Sequence, residues 1–261
     1  MNRVWRHILA ASFTACVGGL ALPACAHDDS SMYIVHVVAP PKPGQAGEGC
    51  VYPAPSITQT YELSGLFDVG LAGSYSPVVL IGNHLVARGD PTIPRTETNR
   101  LSLRGTVVRL TDSQGNEVRS FTSLTEGTID PQIGTTPGLL DASLTLVDSD
   151  TADRFRRELT NRAARRTLVA FFKVFGQSLG GTYVESGEFQ HIVEVCNGCS
   201  VSFPPDAEDP DPQLVHPNCK AGIAAGGSST IVSACVPGQD QAIDCRLCQG
   251  RAACDPLALR P

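Results

Sequence analysis

Two pairs of cysteines have the spacing that could bring thiolates to a metal ion or to a redox exchange. Cys196-Asn-Gly-Cys199 and Cys245-Arg-Leu-Cys248 form a C-x2-C…C-x2-C pattern, which short zinc knuckles use. The stretch between the pairs, 200–244, is longer than in a usual zinc ribbon and contains two more cysteines. Redox exchange needs its first cysteine at a helix N-terminus, whereas the residues after Cys199 favour a strand. We therefore expect no metal and no cofactor, and keep a zinc-binding C-terminal module as an alternative.

The N-terminus predicts export. Arg3 and Arg6 precede an apolar stretch from Ile8 to Leu22, the composition of a secretory signal. Leu22-Pro23-Ala24-Cys25 resembles the lipobox of bacterial lipoproteins, although Pro23 departs from the usual pattern. The resemblance covers about a tenth of the chain, and Cys25 is the one site residue that it carries.

The resemblance implies cleavage before Cys25, lipid on that cysteine and anchoring to a membrane. Ala26 resembles the sorting signal for the outer membrane, on its periplasmic or its cell-surface face. Ala24-Cys25-Ala26 also satisfies the small-x-small rule of an ordinary signal peptidase. Cleavage after Ala26, which would yield a secreted soluble chain, is therefore the alternative.

Removal of the signal leaves eight cysteines that could pair, besides Cys25. They are Cys50, Cys196, Cys199, Cys219, Cys235, Cys245, Cys248 and Cys254. An even number in an exported chain predicts a disulfide framework. Seven of the eight follow residue 195, so complete pairing requires Cys50 to bond to one of these seven. The sequence leaves open which one.

Six arginines fall within thirteen residues, 154–166. Arg154, Arg157, Arg162 and Arg165 share one face of a predicted helix that Asp150 caps and that runs to about residue 163. A guanidinium binds phosphate and carboxylate through its planar fork, so this face could contact lipid headgroups, polysaccharide or an acidic envelope protein. The plainer interpretation, which we favour, is a solvated helix face supported by spaced ion pairs.

The net charge and the absence of known catalytic motifs argue against nucleic-acid binding and against several classes of enzyme. Without residues 1–24 the chain has 18 basic and 26 acidic residues, a net charge of −8. Such a chain lacks the basic surface that nucleic-acid binding needs. The sequence has no G-x-S-x-G, no H-E-x-x-H and no P-loop, which favours a non-enzymatic envelope lipoprotein. The alternative enzyme is a secreted hydrolase that uses a carboxylate pair such as Asp68 and Glu185.

The elements that must position these residues are mainly strands. Runs rich in β-branched and aromatic residues alternate with glycine, proline, asparagine and aspartate between residues 32 and 203. The eight predicted strands are Met32–Val38, Thr58–Val69, Pro77–Val86, Arg100–Leu110, Glu117–Thr122, Ala142–Val147, Thr167–Phe175 and Phe189–Val195. They predict an immunoglobulin-like antiparallel β-sandwich with one short helix and a disulfide-rich C-terminal tail.

The predicted domain boundaries follow changes in composition. Residues 1–24 form the signal peptide, 25–31 a polar tether and 32–203 the sandwich. Residues 204–214 are acidic and rich in proline, as in an extended linker. The tail, 215–261, has few large apolar residues, so disulfides must supply much of its stability.

Overall fold

A computed structural model of the chain describes residues 31–42, 50–88, 96–221, 231, 233–256 and 258. The predicted signal peptide, Cys25 and all of the tether except Ser31 lie outside these residues. The described strands are β1 Met32–Val38, β2 Tyr61–Glu62, β3 Ser64–Asp68, β4 Val78–Asn83, β5 Leu101–Asp112, β6 Glu117–Ile129, β7 Gly138–Ser143, β8 Arg165–Ser178, β9 Tyr183–Glu185, β10 Phe189–Cys196, β11 Val201–Ser202 and β12 Ile243–Asp244. The α-helix, α1, spans Ser149–Glu158, and short 3-10 helices span Pro205–Ala207, Cys245–Leu247 and Ala252–Cys254.

The strands form three sheets. A four-stranded sheet has the order β2-β1-β4-β7, and a six-stranded sheet has the order β3-β10-β8-β5-β6, with β9 paired to β8. Strands β11 and β12 form a small sheet of their own. Within the residues that the structure describes, the prediction of a mainly β fold with one α-helix and a disulfide-rich C-terminal region is confirmed. Two pairs, β3 with β10 and β11 with β12, are parallel, which the antiparallel prediction did not include.

One hydrophobic cluster takes side chains from both large sheets. Met32 and Val79 come from the four-stranded sheet, and Leu110 and Phe172 come from the six-stranded sheet; all four are at most 1% exposed. Along β8, alternate residues from 168 to 174 are buried, because successive side chains of a strand point to opposite faces. The helix α1 adds Phe155 to this core.

Several predicted boundaries differ from the structure. The predicted strand 58–69 divides at the exposed Leu63, so that β2 joins one sheet and β3 the other. The predicted strand 142–147 lies earlier, at Gly138–Ser143, and β6 runs seven residues past its predicted end, to Ile129.

The helix is also shorter than predicted. Its N-cap is Asp148, not Asp150, because the Asp148 carboxylate accepts a hydrogen bond from the Thr151 amide at 3.1 Å. It ends at Glu158 rather than near residue 163. The side chain of Asn161 accepts from the amides of Ala163 and Ala164, which stabilises a turn in place of further helix.

The C-terminal tail packs against the edge strand β3. The amide of Asp68 donates to the Gly238 carbonyl at 2.8 Å, and the Asp240 amide donates to the Leu66 carbonyl at 2.9 Å. Ala207, in the predicted linker, is fully buried in a second small core together with tail residues such as Cys219 and Cys245. The tail and the sandwich therefore share hydrogen bonds and buried surface.

Candidate functional site

The structure bonds the eight cysteines into four disulfides. The pairs are Cys50–Cys235, Cys196–Cys199, Cys219–Cys245 and Cys248–Cys254. The prediction of disulfide bonds is confirmed, and Cys50 bonds to one of the seven C-terminal cysteines.

This pairing bears directly on the zinc alternative. The second C-x2-C motif is divided between two disulfides, since Cys245 bonds to Cys219 and Cys248 bonds to Cys254. In both described clusters of metal-type ligands, Asp68 with Cys196 and Cys199 and Asp244 with Cys219 and Cys245, the sulfurs belong to disulfides. Zinc ligation requires thiolates, so the two motifs do not form a knuckle in this structure.

The predicted arginine face is not a helix face, because α1 ends before Arg162 and Arg165. Arg154 forms an ion pair with Glu158 at 2.7 Å, and Arg165 forms one with Glu194 at 3.0 Å. Arg157 is exposed on α1. The four side chains therefore do not present one set of free guanidinium groups, and the prediction of a shared face is wrong.

Arg162 has a structural role that the sequence did not reveal. Its guanidinium donates to the carbonyls of Ala253 at 2.7 Å and Asp255 at 2.8 Å, and it lies 4.7 Å from the centre of the Phe203 ring. Burial lowers the pKa of this guanidinium. Arg162 thus holds the end of the tail against the sandwich instead of facing a ligand.

The carboxylate pair considered for a hydrolase is not brought together. Asp68 lies opposite Cys196, which in turn lies opposite Arg165, whereas Glu185 lies opposite Phe175. Ten residues of β8 separate the two positions, about 33 Å along a strand.

The Asp68 side chain is also fully buried, and its carboxylate accepts hydrogen bonds from neighbouring loops. One carboxylate oxygen accepts from the amides of Gly70 and Gly198, and the other accepts from the amide and hydroxyl of Ser200. The three hydrogen bonds from Gly198 and Ser200 hold the loop that the Cys196–Cys199 disulfide closes, and the one from Gly70 holds the turn after β3. The pair with Glu185 is therefore wrong as a catalytic site.

A buried polar cluster that the sequence analysis missed joins the tail to the core. The Tyr75 hydroxyl donates to the Asp240 carboxylate at 3.1 Å, and its oxygen lies 3.3 Å from Nε2 of His191. Burial raises the pKa of Asp240 to about 6 and lowers the pKa of His191 to about 4. Burial, followed by the negative charge of Asp240, raises the pKa of Glu62 to about 8.

Groups with shifted pKa values could exchange protons with a substrate, but the cleft beside them is too small to admit one. Asp240 lines a narrow cleft of about 10 Å³ beside Tyr52 and Pro77. That volume holds about one water molecule and no organic substrate. The cluster therefore serves to dock the tail. Tyr75 and Asp240 are 165 residues apart, and no spacing rule connects them.

The tail itself has an open cleft of about 710 Å³, within the size range of small-molecule sites. It is lined by the segments around Leu214 and Lys220 and by residues 249–256. One of its cations, Arg251, donates to the Leu71 carbonyl and so holds the tail to the sandwich. Among the described lining residues, Lys220 is left as the uncommitted cation, and Asn218, Gln249 and Asp255 are the other polar residues of the cleft besides Arg251.

No helix within the described ranges has the length and apolar content required to cross a bilayer. Comparison of the chain with protein-family models, with curated proteins and with solved structures finds no match.

Proposed function

We propose that this protein is an exported cell-envelope lipoprotein, anchored through Cys25, whose β-sandwich serves as a non-enzymatic binding or structural module. The observation that carries the proposal is the pairing of all eight cysteines that follow Cys25. Disulfides form and persist in oxidising compartments outside the cytoplasm. Cleavage before Cys25 would leave that residue as the single thiol without a disulfide partner, and lipid would occupy it.

The position of the first strand fits such an anchor. Strand β1 begins at Met32 and lies between β2 and β4 in its sheet. Seven residue steps separate Cys25 from Met32, which span at most about 24 Å when fully extended. A lipid on Cys25 would therefore hold the sandwich close to the membrane surface, in the outer membrane if Ala26 acts as its sorting signal.

The site geometry supports a non-enzymatic role. Both carboxylate oxygens of Asp68 accept hydrogen bonds from the backbone, and Glu185 lies about 33 Å away along the sheet. The groups with perturbed proton affinity, Glu62, Asp240 and His191, lie in or beside a cluster whose cleft admits about one water molecule. The space beside these carboxylates and this histidine is therefore too small for a substrate to reach them.

The test is the intact mass of the chain expressed in a bacterial host with its own signal, with a Cys25→Ala variant as the matched control. We expect a diacylated or triacylated chain that begins at Cys25, lies in the outer-membrane fraction and takes up no alkylating reagent without reductant. The control should lose the lipid mass and the membrane association. A chain that begins at His27 would overturn the anchor, and four free thiols with bound zinc would overturn the disulfide framework.

A further inference from the structure

The outer face of the six-stranded sheet is broad and partly apolar. Side chains that alternate with the core positions of this sheet point away from the core. Among them Leu124 is 88% exposed, Tyr183 is 63% exposed and Ile192 is 46% exposed. Phe171 and Phe175 of β8 lie on the same face and are partly exposed. The helix α1 packs on the core and leaves this face uncovered.

Two aromatic rings on this face lie close to each other. Phe175 lies opposite Gly105, and a Cβ atom at Gly105 would come within 2.5 Å of the Phe175 ring. The ring therefore occupies the space above the glycine and lies along the sheet. The ring of Tyr183 is 6.3 Å from that of Phe175, with 26° between their planes. At this separation the two rings are offset from each other, so both contribute exposed apolar surface.

Charged groups beside the rings are paired with one another. The Tyr183 hydroxyl donates to Glu185 at 2.9 Å, and the Lys173 ammonium lies 3.0 Å from the other oxygen of Glu185. Hydrogen bonds from Lys173 and then Tyr183 hold the pKa of Glu185 below its usual value. Arg109, whose guanidinium lies 4.2 Å from the centre of the Phe171 ring, is 3.6 Å from Glu188. The face thus offers hydrogen-bonding groups with balanced charge.

These features select among possible occupants. An anionic polymer would need unpaired cations, whereas Lys173 and Arg109 each face a carboxylate. A peptide that adds a strand pairs through its backbone at a sheet edge such as β6 or β9, whereas the exposed rings of Phe171, Phe175 and Tyr183 offer a face of side chains. Sugar rings have an apolar C–H face and a rim of hydroxyls, which match aromatic rings bordered by hydrogen-bonding groups.

We infer that the outer face of the six-stranded sheet, centred on Phe175 and Tyr183, binds an uncharged polysaccharide. The inference deepens the proposed function by naming the class of partner, and it rests on that function in treating the sandwich as a binding module. The sugar rings would pack on the two aromatic rings, and their hydroxyls would bond to Glu185 and Lys173.

The experiment is affinity electrophoresis of the exported full chain, purified in detergent, through gels containing barley β-glucan, xyloglucan or galactomannan. Alginate serves as the anionic comparison. We expect at least one uncharged polymer to retard the chain and alginate not to do so. Tyr183→Ala should weaken that retardation at least tenfold, as should Glu185→Gln, without changing the thermal unfolding midpoint. Tyr183→Phe should keep most of the binding, because it retains the ring.

The matched control is Tyr61→Ala, which removes a tyrosine that is 58% exposed on the other large sheet and should leave binding unchanged. Retardation by none of the uncharged polymers, retardation by alginate alone, or an equal loss in Tyr61→Ala would overturn the inference. The measurement does not depend on lipid at Cys25. A chain without an anchor that still binds would refute the proposed localisation alone, and an anchored chain that binds none of the polymers would refute the partner class alone.

Discussion

The disulfide between Cys50 and Cys235 closes a loop of 185 residues that contains most of both large sheets. In the chain-entropy model, a cross-link stabilises the fold by restricting the unfolded chain, and its effect grows with the logarithm of loop length. For this loop the relation gives about 5 kcal/mol at 25 °C. Cys248–Cys254 has a sequence separation of 6, for which it gives about 2 kcal/mol.

Packing in the folded state reduces the difference of about 3 kcal/mol between the two disulfides. Cys50 is exposed, whereas Cys248 and Cys254 are 6% and 5% exposed and belong to the small core of the tail. Replacement of the two buried cysteines by alanine therefore also removes buried apolar contacts, on the order of 1 kcal/mol. We expect Cys50→Ala/Cys235→Ala to lose about 2 kcal/mol more stability than Cys248→Ala/Cys254→Ala.

The assay is thermal unfolding of the wild-type chain and the two double variants at one pH and one protein concentration, followed by circular dichroism and calorimetry. For a chain of this size 1 kcal/mol corresponds to about 2–4 °C, so the long-loop variant should unfold about 4–8 °C below the short-loop variant. Equal midpoints, or a lower midpoint for the short-loop variant, would refute the argument from unfolded-state entropy. In that case contacts between the tail and the sandwich, and not loop length, would determine how much each disulfide stabilises the fold.

Two further predictions concern buried carboxylates. Glu62 has a pKa of about 8 in the folded chain and near 4 when unfolded, so the wild-type chain loses stability as pH rises from about 4 to about 8. Glu62→Gln should therefore be more stable than wild type by about 2 kcal/mol at pH 8, a value reduced for its partial exposure, and equally stable near pH 4. Urea unfolding at pH 4, 6 and 8 measures the difference, and a gap that does not change with pH would contradict it. Asp68→Asn replaces one carboxylate oxygen by an NH2 group that cannot accept hydrogen bonds, and should cost about 3 kcal/mol of unfolding free energy in urea titrations. Amide hydrogen exchange should become faster at Gly198 and Ser200, and unchanged exchange there would show that the carboxylate does not fix this loop.

The strands with one buried face could be predicted well from the sequence. The bounds of β1 match the prediction, and β10 differs from it by one residue. In β10 alternate burial leaves a period of two in the residue types. No such periodic signal in the residue types marks Leu63, where the predicted strand 58–69 divides into β2 and β3. β2 pairs with β1 and β3 pairs with β10, so the change of sheet depends on strands distant in sequence.

For the candidate site, the number of cysteines predicted the disulfide partners better than the C-x2-C motifs did. The odd number of C-terminal cysteines required a bond to Cys50, and the structure has that bond. The C-x2-C spacing suggested that each motif acts as a unit, which holds for Cys196–Cys199 but not for the second motif. Local spacing therefore could not assign Cys245, since its partner is 26 residues away.

The arginine cluster shows why charge in a sequence is a poor guide to a binding face. Arg162 donates to carbonyls about 90 residues further along the chain, and Arg156 donates to the Val69 carbonyl 87 residues before it. A guanidinium has five donors and binds a backbone carbonyl of its own chain as readily as a ligand, so residue type cannot tell the two roles apart. In this fold these two arginines brace the tail and the loop after β3, while others, such as Arg154, pair with carboxylates. The surface that best fits a partner is consequently the aromatic face around Tyr183, where the charges are already balanced.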